Sequence, residues 1–270
     1  MHSQVVARIL QLNQEFYQTF AFSFSLTRQR LQNGILMALN EIPLEGNWLD
    51  LGCGNGALAH EWALQRRRGL YLGLDFSPGL LAEAKKNLPG VGLPPGLKIE
   101  FYQVDINDTD WEKKYMHIPW NGILAFAVLH HIPSFKLRTE LLARVNRLLP
   151  AEGRFILSVW QYQNSPRLMA RRLPWESIGI QPGEVDEGDT LIDWRAEAGQ
   201  AEGAAGIRYV HLYHRQELAE LAHLSGFIIV DEYESDGRSG NLALYQVWQK
   251  GGNLKKKSEI ITIIKSRKGE

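Results

Sequence analysis

Leu49-Asp50-Leu51-Gly52-Cys53-Gly54-Asn55-Gly56 joins an apolar strand end to glycines at every second position. Glycine lets the backbone turn left-handed and pass close to a ligand. The helix that follows, from Leu58, turns its free N–H groups toward the same point. A polar or anionic cofactor group can be held there. About twenty residues on, Asp75 ends a second strand, where a carboxylate can accept hydrogen bonds from both hydroxyls of a ribose. Asp105 follows a third strand and can reach an exocyclic amine.

Two cofactor classes use this layout. Gly52, Gly54 and Ala57 fit the G-x-G-x-x-G/A turn of dinucleotide sites. With Asp50 and Gly56 the same stretch also reads D-x-G-x-G-x-G. A carboxylate beside the turn suits S-adenosylmethionine, which carries an ammonium and a sulfonium, and suits a pyrophosphate poorly. The late strand pair near the C-terminus is also not expected of a plain dinucleotide half, so an NAD-dependent oxidoreductase is disfavoured.

Four segments, in this order and spacing, resemble the class I S-adenosylmethionine-dependent methyltransferases. They are Asp50-Leu51-Gly52-Cys53-Gly54-Asn55-Gly56, Asp75-Phe76-Ser77, Val104-Asp105-Ile106 and Ala127-Val128-Leu129-His130-His131-Ile132. The resemblance covers roughly Trp48 to Trp248. It implies a Rossmann-like doubly wound sheet of order 3-2-1-4-5-7-6 with strand 7 antiparallel. It implies that Asp50, Gly52, Cys53, Gly54, Asn55 and Gly56 hold the methionine part, and that Asp75, with Phe76 beside it, holds the ribose. Asp105 with Ile106 would take the adenine, and Ala127 to His130 would lie near the methyl group.

A narrower resemblance is to the eukaryotic methyltransferases that esterify carboxymethyl-uridine at the tRNA wobble position. Leu129-His130-His131-Ile132-Pro133-Ser134 is similar to their segment after strand 4, and Phe24-Ser25-Leu26-Thr27-Arg28 to their S-x-T-R. Gly188-Asp189-Thr190-Leu191-Ile192-Asp193-Trp194 resembles G-D-x-x-[IV]-x-W, and Arg208-Tyr209-Val210-His211-Leu212-Tyr213 resembles R-Y-x-H-x-F. Asp193 departs from that group, which usually has proline there. The acidic character of 174–206 is a second departure, awkward for holding tRNA. The substrate implied is a carboxymethyl group on tRNA wobble uridine; the alternative is a small-molecule O- or N-methyltransferase.

The acceptor-side candidates are His130, Arg28, Arg208 and His211, with His131 and Tyr209 beside them. Arginine can hold a carboxylate or phosphate through paired hydrogen bonds, and histidine can act as base or donor. A carboxylate acceptor is ionised at neutral pH and needs no general base. The chain after strand 4 lacks the Asn/Asp-Pro-Pro-aromatic segment of exocyclic-amine methylation. The structural alternatives are a helix-cap role for Asp75, a loop carboxylate at Asp105, a strand-end role for His130 and His131, and ordinary surface charge for Arg28.

These residues need elements to place them. Val5, Val6, Ile9, Leu10, Asn13, Phe16, Tyr17 and Phe20 recur at helical spacing, and Thr27 to Asn40 does the same. Strands are expected at 48–51, 70–74, 98–104, 122–129 and 154–160, with helices at 58–67, 78–88 and 136–149 between them. Ser77-Pro78 is a helix start, serine at the cap and proline at the first turn. Such alternation predicts a parallel sheet covered on both faces. A helix at 216–224 and strands at 226–233 and 242–249 follow. The expected organisation is an N-terminal helical cap (1–45), a methyltransferase domain (46–250) carrying an acidic, partly mobile insertion (174–206), and a flexible basic tail (251–270).

The chain has 270 residues and equal numbers of acidic and basic residues, so no global field draws it to nucleic acid. Local basic excess around Lys136 to Leu149, Arg154, Arg167, Arg171 and Arg172 offers a phosphate-binding face, or simply offsets the acidic insertion. Cys53 is the one cysteine, which excludes an intramolecular disulfide and a cysteine-rich metal site. No metal ligand set is expected. No apolar run reaches membrane-helix length and the start lacks a signal-peptide core, so a cytoplasmic protein is expected. tRNA or else a small-molecule acceptor is the expected partner, with an activating partner protein among the candidates.

Overall fold

The computed structural model describes residues 1–27, 30–90, 92–195 and 205–251. Its first elements are α1 (Ser3–Thr27) and α2 (Asn33–Asn40). Helix and strand then alternate through β1 (Trp48–Leu51), α3 (Ala57–Leu64), β2 (Gly69–Asp75), α4 (Pro78–Lys86), β3 (Leu97–Gln103), β4 (Gly122–Phe126), α5 (Phe135–Leu148) and β5 (Arg154–Trp160). After these come α6 (Pro166–Met169), β6 (Arg172–Leu173), β7 (Asp189–Arg195), β8 (Ala205–His211), α7 (Arg215–Leu224), β9 (Phe227–Ser235) and β10 (Ala243–Lys250).

The main sheet has seven strands in the order β3-β2-β1-β4-β5-β10-β9. Its seventh strand in chain order, β10, runs antiparallel to both β5 and β9, while β1 to β5 pair in parallel. This is the expected sheet. All four residues of β1 are buried, as a central strand covered on both faces requires. Leu49, Leu51, Leu72, Leu74 and Ile123 pack in one layer with Leu141, Val145 and Leu221 of α5 and α7. Trp48, Tyr71, Leu124 and Ile156 pack in the other with Trp62 of α3 and Leu39 of α2. The strands' two-residue period sorts these side chains to opposite faces.

The stretch expected as a partly mobile insertion is largely built. β6, β7 and β8 form a separate antiparallel sheet, with Leu191 opposite Tyr209 and Ile192 opposite Arg208. Leu191 and Tyr209 pack against Val5, Ile9 and Leu12 of α1, while Ile192 and Val210 pack on Tyr162. The acidic residues obscure this in the sequence, because several are used locally. Asp186 accepts a hydrogen bond from the backbone N–H of Phe135, Glu184 completes a capping box with Gln181, and Asp193 pairs with Arg195. Residues 196–204 and the basic tail at 252–270 lie outside the described residues. Among the described residues no helix is long and apolar enough to cross a membrane.

Gly56, expected to touch the cofactor, also has a packing role. It starts α3 at φ 72°, and a Cβ there would lie 2.8 Å from the Cβ and 2.9 Å from the Cα of Ala84 in α4. Two helices therefore meet at this glycine. Gly56→Ala should cost about 2–4 kcal/mol, from left-handed strain plus overpacking against backbone. A thermal melt should fall by roughly 5–10 °C; an unchanged melt would show that α4 yields freely.

Candidate active site

The C-terminal ends of β1 to β4 open into one cavity, roofed by α1. Ten of the eleven residues expected to hold the cofactor line it: Asp50, Gly52, Cys53, Gly54, Asn55, Asp75, Phe76, Asp105, Ile106 and Ala127. Gly56 is the exception.

The turn after β1 is made by positive backbone angles, φ 69° at Gly52 and 55° at Gly54. The N–H groups of Gly52 and Cys53 both donate to the Leu74 carbonyl, at 2.7 and 3.0 Å, tying the turn to β2. A Cβ on Gly52 would strike Val128 at 2.5 Å, whereas one on Gly54 would meet nothing within 4 Å. Gly54 therefore edges open space while Gly52 lets the loop after β4 approach.

Asp75 closes β2. Its carboxylate accepts from the Gly54 N–H and the Ser77 N–H, both at 2.9 Å. It thus caps α4 indirectly and braces the glycine turn, and each oxygen keeps a lone pair for a further donor. Burial pushes its pKa up to about 6, against the hydrogen bonds from Ser77 and Gly54, with Asp105 adding to the rise. Burial pushes Asp50 up to about 7; the Tyr71 hydroxyl, donating to it, holds it down, and Asp75 raises it again. No arginine or lysine is among the groups that move either carboxyl. Asp105 accepts from the Asn107 backbone and side chain on one oxygen and from the Gln14 amide on the other, all at 2.9 Å.

These three carboxyls make the cavity a place for positive charge and hydrogen-bond donors. A pyrophosphate would face them at close range in a buried setting, where like charges repel most strongly. The fit is to S-adenosylmethionine. Its ammonium and sulfonium are cations, and its ribose hydroxyls and adenine amine are donors.

The structure puts on the cavity residues that the sequence marked only as helical periodicity, and it adds Gln14, Arg30 and Gln32. Leu10, Asn13, Gln14 and Tyr17 form one stripe of α1 over the cavity, and Arg30 and Gln32 line it as the chain leaves α1. Asn13 exchanges hydrogen bonds with the Tyr209 backbone, tying α1 to the small sheet. His131 also lines the cavity. Its Nδ1 lies 3.0 Å from the Tyr209 carbonyl, which can only accept, so Nδ1 carries the proton in the neutral ring. Its Nε2 then accepts from the Tyr17 hydroxyl at 2.8 Å. The signal for α1 was visible only as polar residues interrupting an apolar helical stripe.

Of the acceptor-side candidates among the described residues, His131 lines the cavity, and the others are not brought together on it. Arg28 lies outside the described residues. His130 is buried behind the wall, its Nδ1 accepting from the Trp160 N–H at 3.3 Å and its ring stacked on Trp160. The Arg208 guanidinium lies between the rings of Trp160 and Phe16, 4.6 and 5.6 Å from their centres. His211 sits in a buried charged network. Its Nδ1 is 2.6 Å from Asp189 and its Nε2 3.0 Å from Glu217, and Arg138 bridges the same two carboxylates at 3.1 and 3.0 Å.

That network reaches the cavity indirectly. Arg138 Nε donates to the Ile132 carbonyl at 3.0 Å, and the Tyr213 hydroxyl donates to the Leu129 carbonyl at 3.0 Å. Both carbonyls flank the histidine pair after β4. The segment turns at Ala127, whose φ is 57° and whose N–H donates to Ser158. The small sheet and α7 therefore brace the loop that forms one wall of the cavity. Among the described residues no cluster of side chains could hold a metal ion.

Comparison with known proteins agrees with the geometry. Residues 49–155 match the family model described as a methyltransferase domain. A protein of Encephalitozoon cuniculi, named as a candidate methyltransferase, is 28% identical over 217 residues, covering 80% of this chain and 87% of its own. The tRNA (carboxymethyluridine(34)-5-O)-methyltransferase of Schizosaccharomyces pombe is 25% identical over 242 residues, covering 82% of this chain and 91% of its own. Among solved structures, a SAM-dependent methyltransferase from Methanosarcina mazei superposes with a TM-score of 0.58 at 20% identity, covering 79% and 96% of the two chains.

Proposed function

We propose that this chain, a class I S-adenosylmethionine-dependent methyltransferase, transfers its methyl group to a carboxylate, and that the carboxylate is a carboxymethyl group on the wobble uridine of tRNA. The observation that carries this reading is the extent of the likeness to the Schizosaccharomyces pombe enzyme. An alignment spanning 82% of the chain necessarily crosses β6, β7 and β8 as well as the cofactor half. The small sheet braces the acceptor-side loop, so likeness there bears on the acceptor and not only on the cofactor.

The cofactor supplies a methyl group already activated by its sulfonium. The protein's work is alignment and exclusion of water. The glycine turn receives the amino-acid half, the Asp75 carboxylate accepts from the ribose hydroxyls, and Asp105 and Ile106 receive the adenine. α1 covers the cavity, held by Asn13, Gln14 and Tyr17. Arg30, on the cavity, is the described cation that can pair with an acceptor carboxylate. Arg28 is proposed to act beside it. His130, Arg208 and His211 are proposed as positioning residues, acting through the loop after β4 rather than on the acceptor.

The acidity of the stretch around β7 is less of an obstacle to tRNA than its composition implies. Asp189 is buried against Arg138 and His211, and Asp186 and Asp193 also have local partners. Exposed Arg167 and Arg172 and half-buried Arg171 stand on α6 and beside it, where phosphates could be met. The alternative acceptor is a small molecule, favoured by the way α1 roofs the cavity.

The test uses methyl-tritiated S-adenosylmethionine with bulk tRNA and, separately, with a panel of small carboxylic acids. A methyl ester releases volatile methanol in mild alkali, whereas N- and C-methyl groups stay put. Alkali-labile label on tRNA is the expected result. Alkali-stable label on tRNA would refute carboxylate methylation. Label confined to the small acids would move the assignment to the alternative.

A further inference from the structure

We propose that Gln14 is a second side chain that reads the adenine of the cofactor. It would hold Asp105 with its amide nitrogen and offer its carbonyl oxygen to the exocyclic amine. The orientation of the amide is forced by its partner. An ionised carboxylate accepts and cannot donate, so the Gln14 NH2 group must face Asp105 Oδ2, 2.9 Å away. The carbonyl oxygen is then the end left for another donor. Gln14 and Asp105 both line the cavity, together with Leu10, one turn earlier on α1, and Val104 and Ile106 after β3. These apolar walls suit a flat base, and the two polar side chains mark one edge of it.

An exocyclic amine carries two N–H groups. Asp105 provides one acceptor. Its other oxygen is already committed to the backbone and side chain of Asn107, so a second acceptor has to come from elsewhere. Gln14 brings it from α1, some ninety residues distant in sequence. A base with a carbonyl in place of the amine would aim its oxygen at two acceptors. A site built around a donor rejects an analogue lacking it far more strongly than one that merely misses a contact. Gln14 also explains why α1 closes where it does, since its contact with Asp105 ties the helix to the end of β3.

The proposal is tested by isothermal titration with S-adenosylhomocysteine and with its deaminated analogue, S-inosylhomocysteine. The wild-type protein is expected to prefer the adenosyl compound by about a hundredfold or more. Gln14→Met, close in volume and without the carbonyl, is expected to shrink that preference roughly tenfold, mostly through weaker binding of the adenosyl compound. If Gln14 only straps α1 in place, both affinities fall together and their ratio stays constant; that result overturns the proposal. So does an unchanged affinity for both, or a wild-type protein without preference. Gln14→Ala, checked by thermal melting, repeats the comparison should methionine disturb α1. The readout is a ratio of affinities and does not depend on which acceptor is methylated.

Discussion

Asp75→Ala is expected to remove measurable binding of S-adenosylhomocysteine, weakening it at least about a hundredfold. Two losses combine. The ribose hydroxyls lose their charged acceptor, and hydrogen bonds to a charged group contribute about 1.5–3 kcal/mol each. The N–H groups of Gly54 and Ser77, now bonded to the carboxylate at 2.9 Å, lose their partner as well. Gly54 belongs to the glycine turn, so the methionine end of the site loosens along with the ribose end. Asp75→Asn is expected to do nearly as much damage. An amide has one accepting oxygen, and its NH2 group would confront one of those two N–H donors. Isothermal titration with S-adenosylhomocysteine checks both variants, with a thermal melt to confirm folding. An affinity within threefold of wild type for either would mean that Asp75 caps α4 and braces the turn without touching the cofactor.

The cofactor half of this site was legible because its signals are local. A buried β1, an alternating glycine turn and an aspartate at the end of β2 lie within 30 residues, Trp48 to Ser77 included. Each constrains its own backbone: Gly52 and Gly54 need positive φ, and Ser77 caps the helix that Pro78 begins. The parallel pairing of the sheet followed from alternation of elements, and its strand order from the family resemblance. Apart from His131, the acceptor side was not legible, for three physical reasons. α1 contributes Gln14 and Tyr17 across roughly 90 to 115 residues of sequence, and only tertiary packing reveals that its polar stripe faces a cavity. β7 has Leu191 and Ile192 both buried, because the small sheet is covered by α1 on one face and by Tyr162 on the other, so period-two alternation is lost. His211 suggested acid–base chemistry, yet Asp189 and Glu217 enclose it from positions 22 residues before and 6 after. Those two carboxylates also hold the buried Arg138, which is why His211 is proposed as a positioning residue.

Affinity for S-adenosylmethionine is expected to rise between pH 5.5 and 8, by roughly ten- to a hundredfold. In the ligand-free protein burial lifts Asp75 to about 6 and Asp50 to about 7, so both carry protons in mildly acidic solution. A ligand bearing a sulfonium and an ammonium favours the ionised carboxyls. Binding below pH 7 must therefore release protons, and tightening ends once both groups are already ionised. Folding stability moves the other way. Both pKa values lie above the ordinary carboxylate value of 3.8, so the contribution of these groups to stability is full below about pH 4 and is lost as pH rises through 6 and then 7. The ligand-free melting temperature should fall across that window through these two groups, and saturating cofactor should restore it. Titrations in buffers of different ionisation enthalpy would report the released protons directly. Asp50→Asn should flatten the upper part of the profile and leave the part near pH 6. Tyr71→Phe should push the upper midpoint higher, since the Tyr71 hydroxyl is the bond that favours the Asp50 carboxylate. A flat affinity from pH 5.5 to 8 in a protein that stays folded would mean that neither carboxyl senses the cofactor's charge, and the cavity's preference for a cation would have to be rebuilt from other groups.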